Sequence, residues 1–222
     1  DGPFAALNTA FFTDGAVVRI APGVRMSAPI HLLFLSSLHG DPYVTHPRIA
    51  IDAGEGSQAA IVQSWLGPAG GVYLTNAVTR VRAAAGARVD LVKVQRESRQ
   101  AFHLEFLEAE IARDASFTHH SISLGARLAR NDFRVKLEGE GAECALFGLY
   151  EVAGDQHVAH HTVIDHALPR CTSRELYKGV LDGRSRAVFD GSIEVRAGAQ
   201  KTSAVQTNKN LLLSKDALVH TK

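Results

Sequence analysis

A run of four histidines and one aspartate stands out in this chain, in the ten-residue stretch HVAHHTVIDH that begins at His157. Imidazole and carboxylate groups together bind zinc and iron, so the first hypothesis is a metal site. If the stretch is a β-strand, successive side chains point to opposite faces. His160 and His161 then could not bind one ion without a bulge, and the same holds for a second adjacent pair, His119 and His120.

The alternation divides the candidate metal ligands of this run into two sets. One face would carry His157, His161 and Asp165, and the other would carry His160 and His166. Polar side chains can equally be stacked on one face of a regular structure and hydrogen-bonded to neighbouring strands. We favour this second interpretation, and we expect no bound metal in the isolated chain.

The chain contains only two cysteines, Cys144 and Cys171. Two are too few for a disulfide framework in a protein of this size, so we expect two reduced thiols. Cys171 has His166 and Arg170 near it in sequence, and neighbouring positive charge would lower a thiol pKa and favour the reactive thiolate. A lone cysteine in a β-sheet core is more often a small buried apolar residue. We keep Cys171 among the candidate metal or redox residues, with burial as the favoured role.

Length and composition limit the classes of function. The chain has 222 residues, of which 45% are hydrophobic, and its 24 Lys and Arg against 23 Asp and Glu give a net charge of +1. This is enough for a sizeable core and too little charge to attract nucleic acid or an anionic membrane. The most apolar stretch, IHLLFL, is far shorter than a membrane-spanning helix, and the first residues, DGPFAALNTAFF, lack the basic region of a signal peptide. We therefore expect a cytoplasmic protein.

Apolar and polar residues alternate along almost the whole chain, which predicts short strands from about Val17 to Val219. The segment Ser98 to Glu110 also allows a helix. Strands end in small residues at intervals of about 25 to 30 residues, or about twice that. A repeat of about 28 residues without helical segments favours a parallel β-helix over a β-sandwich. The recurring turns fall around Gly56, Gly86, Ser116, Gly141 and Gly198, and the four glycines are the expected corners.

The stretch AQKTSAVQTNKNLLLS places three amides at even spacing, so Gln206, Asn208 and Asn210 would form one row on a strand. Amides both donate and accept, and they can form ladders between stacked strands. The row would then serve internal hydrogen bonding. Together with Leu212, it could instead belong to an exposed strand edge that a partner chain extends. The lysines around it are expected to be solvated: Lys178, Lys201 and Lys209.

Four stretches carry a strong resemblance to the SufB/SufD family, and within it to the SufD branch: LNTAFFTDGAVVRI, DQHVAHHTVIDH, CTSRELYKGVLDGRSRAVFDGSIEV and AQKTSAVQTNKNLLLS. Members of this family are scaffold components of the SUF machinery for iron–sulfur cluster assembly. The resemblance implies an all-β, right-handed parallel β-helix. It also implies two partners, a SufB-like paralogue and a SufC-like ABC-type ATPase, and a cluster that is assembled transiently in the full complex.

The family also has helical domains on both sides of its core, and one of them docks the ATPase. This chain lacks both, so we expect residues 1–222 to be a single β-helical core domain truncated at both ends. The resemblance assigns no secure chemical role to the histidine run. For the core alone we expect no cofactor, no catalysis, no binding of nucleic acid or membrane, and self-association through its last strands, around Ser203 to Val219.

Other functional classes fit less well. A metal-dependent, cupin-like β-fold enzyme that uses the histidine cluster is the alternative, although such enzymes need a His-x-His pattern rather than adjacent histidines. A β-helical polysaccharide-cleaving enzyme would need paired carboxylates in a groove. The sequence contains no G-x-x-x-x-G-K-[ST], G-x-S-x-G or HExxH motif, so nucleotide hydrolysis would belong to a partner.

Overall fold

The computed structural model describes residues 2–37 and 42–222 and contains, within those ranges, one short helix and sixteen strands. In chain order they are α1 (Pro3–Phe11), β1 (Gly15–Ile20), β2 (Ile30–Leu35), β3 (Tyr43–Thr45), β4 (Arg48–Ala53), β5 (Gln58–Leu66), β6 (Tyr73–Ala83), β7 (Arg88–Arg96), β8 (Phe102–Ile111), β9 (Ser116–Ser123), β10 (Leu128–Leu137), β11 (Glu143–Val152), β12 (His157–His166), β13 (Thr172–Leu181), β14 (Arg186–Val195), β15 (Ser203–Leu212) and β16 (Leu218–Thr221).

The strands form two sheets, and from β4 onward the chain passes from one sheet to the other with each new strand. The first sheet has the order β1-β4-β6-β8-β10-β12-β14-β16, with β3 also paired to β6. The second has the order β15-β13-β11-β9-β7-β5-β2. Every strand pairing in the described part of the chain is parallel. The predicted parallel β-solenoid is therefore confirmed, and a cupin barrel of antiparallel strands is not.

The core lies between the two sheets and follows from the alternation in the sequence. In β4 and in β5 the inward residues Ile49, Ile51 and Ile61 are completely buried, while their immediate neighbours are partly exposed. Because the strands are parallel and in register, inward residues stack into rows, such as Ile61 beside Leu91 and Leu91 beside His119. The interior is thus a set of parallel rows, and some of them are polar.

Most of the predicted corners are turns between strands. Gly56, Gly86, Gly141 and Gly198 have φ values of +64°, +66°, +72° and +90°, a conformation that glycine adopts without steric cost. The turn expected around Ser116 lies just before that residue, which itself begins strand β9. The left-handed position of that turn is taken two residues earlier by an aspartate, at φ +56°.

Two segments settle the question of helical structure. Residues 102 to 111 form strand β8, so the alternating interpretation of Ser98 to Glu110 is the correct one. The single described helix, α1, was not predicted; it begins at Pro3, and its Ala5 packs with Val78 and Phe106 on the outer face of the first sheet. This nine-residue helix is shorter than a bilayer-crossing span, and no helix among the described residues is long and apolar enough to cross a membrane.

Candidate functional site

The histidine run forms strand β12 and separates into two faces as the alternation predicts. His160 and His166 point into the solenoid and are completely buried. His157 and His161 lie on the outer face and are partly exposed. The histidines of the run therefore lie in two separate places and do not converge on one metal site.

The outer set is used in contacts between neighbouring strands. Asp165 accepts two hydrogen bonds from the guanidinium group of Arg196, one from Nε at 2.8 Å. His161 has its Nδ1 atom 3.7 Å from a carboxylate oxygen of Asp190 in the adjacent strand. Burial and the neighbouring Arg186 lower the pKa of His157. Asp165, the carboxylate of the candidate metal-binding set, is thus already paired with an arginine.

The inner set lies among polar and aromatic side chains. Nε2 of His166 is 2.8 Å from Oγ of Ser173, and the ring of His160 lies between the rings of Tyr150 and Tyr177. Across residues 2–37 and 42–222, no three His, Cys, Asp or Glu side chains are arranged to hold a metal ion. The candidates named from the sequence are not brought together.

Both cysteines are buried and unpaired. The thiol of Cys171 donates to the carbonyl oxygen of Gly139 at 3.2 Å, and burial raises its pKa. Arg170 does not lower that pKa, because its guanidinium group is on the surface in an ion pair with Glu140. Burial also raises the pKa of Cys144, out of the physiological range. The environment of Cys171 thus agrees with the favoured buried role and disfavours the reactive thiolate that nearby positive charge would have produced.

The interior contains a charged group that the sequence analysis missed. Lys93 is completely buried; its Nζ donates to a carboxylate oxygen of Glu105 and, at 2.6 Å, to Oδ1 of Asn131. Burial alone would raise the pKa of Glu105, but the charge of Lys93 lowers it overall. The three residues come from β7, β8 and β10. Lys93 occupies an inward-facing position in the alternation of strand β7. Because lysine is almost never fully buried unless it is paired, this position was the signal available in the sequence.

A second buried carboxylate, Glu97, lies in the same coil, where the chain passes from β7 to β8. Nδ1 of His103 is 2.7 Å from Oε2 of Glu97, which also accepts from Gln95, while the other oxygen accepts from Thr75 at 2.6 Å. Burial would raise the pKa of Glu97, but His103 and the hydrogen bonds from Thr75 and Gln95 keep it below its usual value. The carboxylate is therefore held ionised in the interior.

Two interior histidines are held neutral. Burial lowers the pKa of His119 to about 4 and that of His160 to about 3. Since the unfolded chain has its histidine pKa near 6.5, the folded state binds fewer protons than the unfolded state below this pH. The neutral histidines therefore stabilise the fold above pH 6.5, and this stabilisation is lost as the pH falls toward 4.

We expect this titration to appear in the pH dependence of unfolding. At pH 5, each of the two histidines should cost the wild-type protein about 2 kcal/mol relative to neutral pH. The variant His160→Gln should show a slope between pH 6.5 and pH 4 that is smaller by about one proton. Urea denaturation at a series of pH values measures the slope. His161→Gln, the same change on the outer face of the same strand, is the matched control; an equal reduction of the slope in both variants would contradict the assignment.

The three amides near the end of the chain lie in one row, as predicted. Gln206, Asn208 and Asn210 face the interior from β15 and are half-buried. The hydroxyl of Tyr150 donates to Oδ1 of Asn210 at 2.6 Å, and Nδ2 of Asn208 donates to the Tyr150 oxygen at 3.3 Å. Gln206 donates to the carbonyl oxygen of Gly191 at 3.4 Å. The row thus closes the polar interior at the last strand of the second sheet.

The outer edge of β15 has no strand beside it in the described part of the chain. The backbone N–H of Ser203 donates to Cys171, the residue before β13, and that of Leu213 donates to Leu181, the last residue of β13, so the N–H groups of the odd-numbered residues face β13. The N–H groups of the even-numbered residues, including Leu212, point to the free edge, since strand hydrogen bonds alternate in direction. Leu211 and Leu212 are 58% and 45% exposed at this edge. The surrounding lysines are exposed, as expected: Lys178, Lys201 and Lys209.

The comparison with protein families gives a match over most of the chain. Residues 36–222 match the model described as SUF system FeS cluster assembly, SufBD core domain. This range includes the histidine run, the polar interior and strand β15.

Individual relatives agree with this match. An iron–sulfur cluster assembly SufBD family protein of Synechocystis sp. is 30% identical over 227 residues, which cover 99% of this chain and 50% of that protein. The iron–sulfur cluster assembly protein SufD of Escherichia coli is 28% identical over 207 residues, covering 92% and 49%. A SufBD family protein of Mycobacterium tuberculosis is 29% identical over 220 residues, covering 96% and 54%. The chain thus spans about half the length of these curated relatives.

Proposed function

The chain belongs to the SufBD core family of the SUF system for iron–sulfur cluster assembly, and from this we propose that it is the β-helical core of a SufD-like, non-enzymatic scaffold subunit. Its partners would be a SufB-like paralogue and a SufC-like ATPase in the cytoplasm. The family match over residues 36–222 carries the proposal. The ATPase would bind a helical segment outside residues 1–222.

We propose that the paralogue binds at the free edge of β15. A strand edge with free N–H and C=O groups is a template for another strand. Here the free edge is flanked by exposed Val205, Leu211 and Leu213, so backbone pairing would be accompanied by apolar burial. A partner with the same fold could continue the second sheet beyond β15. We propose Gln206, Asn208, Asn210 and Leu212 as the interface, and an identical edge as the substitute partner when the core is alone.

We expect Leu212→Pro to weaken capture of the SufB-like paralogue. Proline removes the Leu212 N–H, which points to the free edge and not to β13, so the fold should tolerate the change. The expected loss is about tenfold in affinity, the equivalent of about 1.4 kcal/mol. Binding would be measured by titration of the complete protein with its paralogue, with circular dichroism as the check on folding.

Leu33→Pro is the matched control at the opposite end of the same sheet. The N–H of Ser36 donates to Leu66, so the N–H of Leu33 also points away from the neighbouring strand β5. This variant removes an equivalent edge donor from β2 and should leave capture unchanged. If a folded Leu212→Pro variant binds the paralogue as the wild type does, the interface is not at β15.

The iron–sulfur cluster is proposed to be a transient product of the full complex, not a resident group of this core. Anaerobic analysis should therefore find iron and acid-labile sulfide with the reconstituted complex and neither with this subunit alone. Stoichiometric zinc or iron that stays with the subunit and is lost in His161→Ala would favour the metal-dependent alternative.

A further inference from the structure

The rings of Tyr150 and Tyr177 lie inside the solenoid. Each ring extends over a glycine of the neighbouring strand, and the two extend in opposite directions. A Cβ on Gly148 would overlap the ring of Tyr177, and a Cβ on Gly179 would overlap the ring of Tyr150. Gly148 lies in β11, next to Tyr177 in β13, so the Tyr177 ring extends toward the earlier strands. Gly179 lies in β13, next to Tyr150 in β11, so the Tyr150 ring extends toward β15. Together the two rings reach both ways along the axis.

His160 connects the two tyrosines from the opposite sheet. Its ring centroid is 5.2 Å from that of Tyr150 and 5.0 Å from that of Tyr177. In its own sheet it is directly beside Asn131, which accepts from Lys93. The polar side chains therefore follow one line, from the Lys93–Glu105 pair past His160 to the amides of β15. Four strand spacings separate β7 from β15, about 19 Å.

Several buried polar atoms along this line make no hydrogen bond to another protein group. They are both ring nitrogens of His119 and His160, both carboxyl oxygens of Glu175, the hydroxyls of Ser121 and Thr162, and the hydroxyl of Tyr177. The Thr162 hydroxyl is close enough to Glu175 to affect its pKa, but the geometry falls short of a hydrogen bond. Buried polar groups without a partner are strongly unfavourable and rare, and so many in one place are a built feature.

The chemistry of these atoms identifies what they bind. They include donors and acceptors in mixed order, and no three described His, Cys, Asp or Glu side chains are placed to ligate a metal. An apolar ligand would leave them unpaired. Water donates and accepts, and buried waters typically make about three hydrogen bonds to otherwise unpaired polar groups. Water is therefore the ligand that fits all of them.

We propose that the interior around His160 binds a cluster of ordered water molecules that joins the Lys93–Glu105 pair to the Tyr150–Asn208–Asn210 group at the last strand. The result is a continuous hydrogen-bonded line inside the solenoid. The line lies entirely within this chain and does not depend on which partner docks at β15.

The sign of a stability change tests the proposal in the complete protein. Tyr177→Phe and Thr162→Val each remove one hydroxyl and keep the shape of the side chain. If water binds these hydroxyls, both variants should unfold at lower temperature than the wild type; if the hydroxyls lie unpaired in a dry interior, both should unfold at higher temperature. Tyr150→Phe is the reference, because its hydroxyl bonds Asn208 and Asn210, and it should be destabilised in either case.

A direct measurement on the unaltered protein decides the matter if a variant fails to fold. A crystal structure at a resolution that shows ordered solvent should contain water within hydrogen-bonding distance of His160 and of the Tyr177 hydroxyl. Oxygen-17 magnetic relaxation should independently count long-lived internal waters. A dry interior, or direct hydrogen bonds between these side chains, would overturn the proposal.

Discussion

Replacing Lys93 with methionine is expected to destabilise the protein by about 3–5 kcal/mol, because it leaves the Glu105 carboxylate buried without its counter-charge. Lys93 and Glu105 are both completely inaccessible, so water cannot replace the lost partner at the surface. One carboxyl oxygen of Glu105 is already without a protein partner. The loss should be measured at pH 7 by urea denaturation, and it should become smaller at acidic pH, where Glu105 can be protonated.

The double variant Lys93→Met/Glu105→Gln separates loss of the charge pair from loss of packing. Glutamine removes the buried charge, and its amide can donate to Oδ1 of Asn131. Since replacing both members of a buried pair is often neutral, the double variant should recover most of the stability that the single variant loses. If both variants are equally destabilised, packing rather than an unpaired charge is responsible.

Replacing Glu175 with glutamine is expected to stabilise the protein at alkaline pH by up to about 3 kcal/mol. Burial raises the pKa of Glu175 from 4.5 to about 7, although the nearby Thr162 partly opposes the shift. The protonated side chain is thus favoured by folding. This contribution is fully present below pH 4.5 and is lost as the pH rises through 7. Glutamine resembles the protonated form at every pH, so the gain should be largest at pH 8 and near zero at pH 4.5.

The matched control for this variant is Glu143→Gln on the exposed face of the second sheet. A surface change of this kind should alter stability by no more than about 0.5 kcal/mol at any pH. The measurement is the free energy of unfolding at pH 4.5, 6 and 8 for wild type and both variants. A gain from Glu175→Gln that does not change with pH would show that Glu175 is not protonated by folding.

Much of the architecture is a direct consequence of local sequence pattern. The two-residue alternation predicted the strands, and the spacing of small residues predicted the coils and the corners at Gly56 and Gly86. These features depend on each segment's own residues, because side chains alternate along any strand and glycine favours the left-handed turn. Helix α1 was not predicted from its sequence pattern. Its nine residues are too few for a clear period, and Pro3 at its first turn was the available signal.

The chemistry of the interior depended instead on contacts between distant residues. The alternation divided the histidine run into two sets, which only the tertiary structure could assign to the inside and the outside. Both faces of that strand contain polar groups, so hydrophobicity did not distinguish them. Lys93 meets Glu105 and Asn131 because β7, β8 and β10 are brought together by two sheets in fixed register. A sequence determines which side chains share a face of a strand, whereas the pairing of one sheet against the other decides which of them meet.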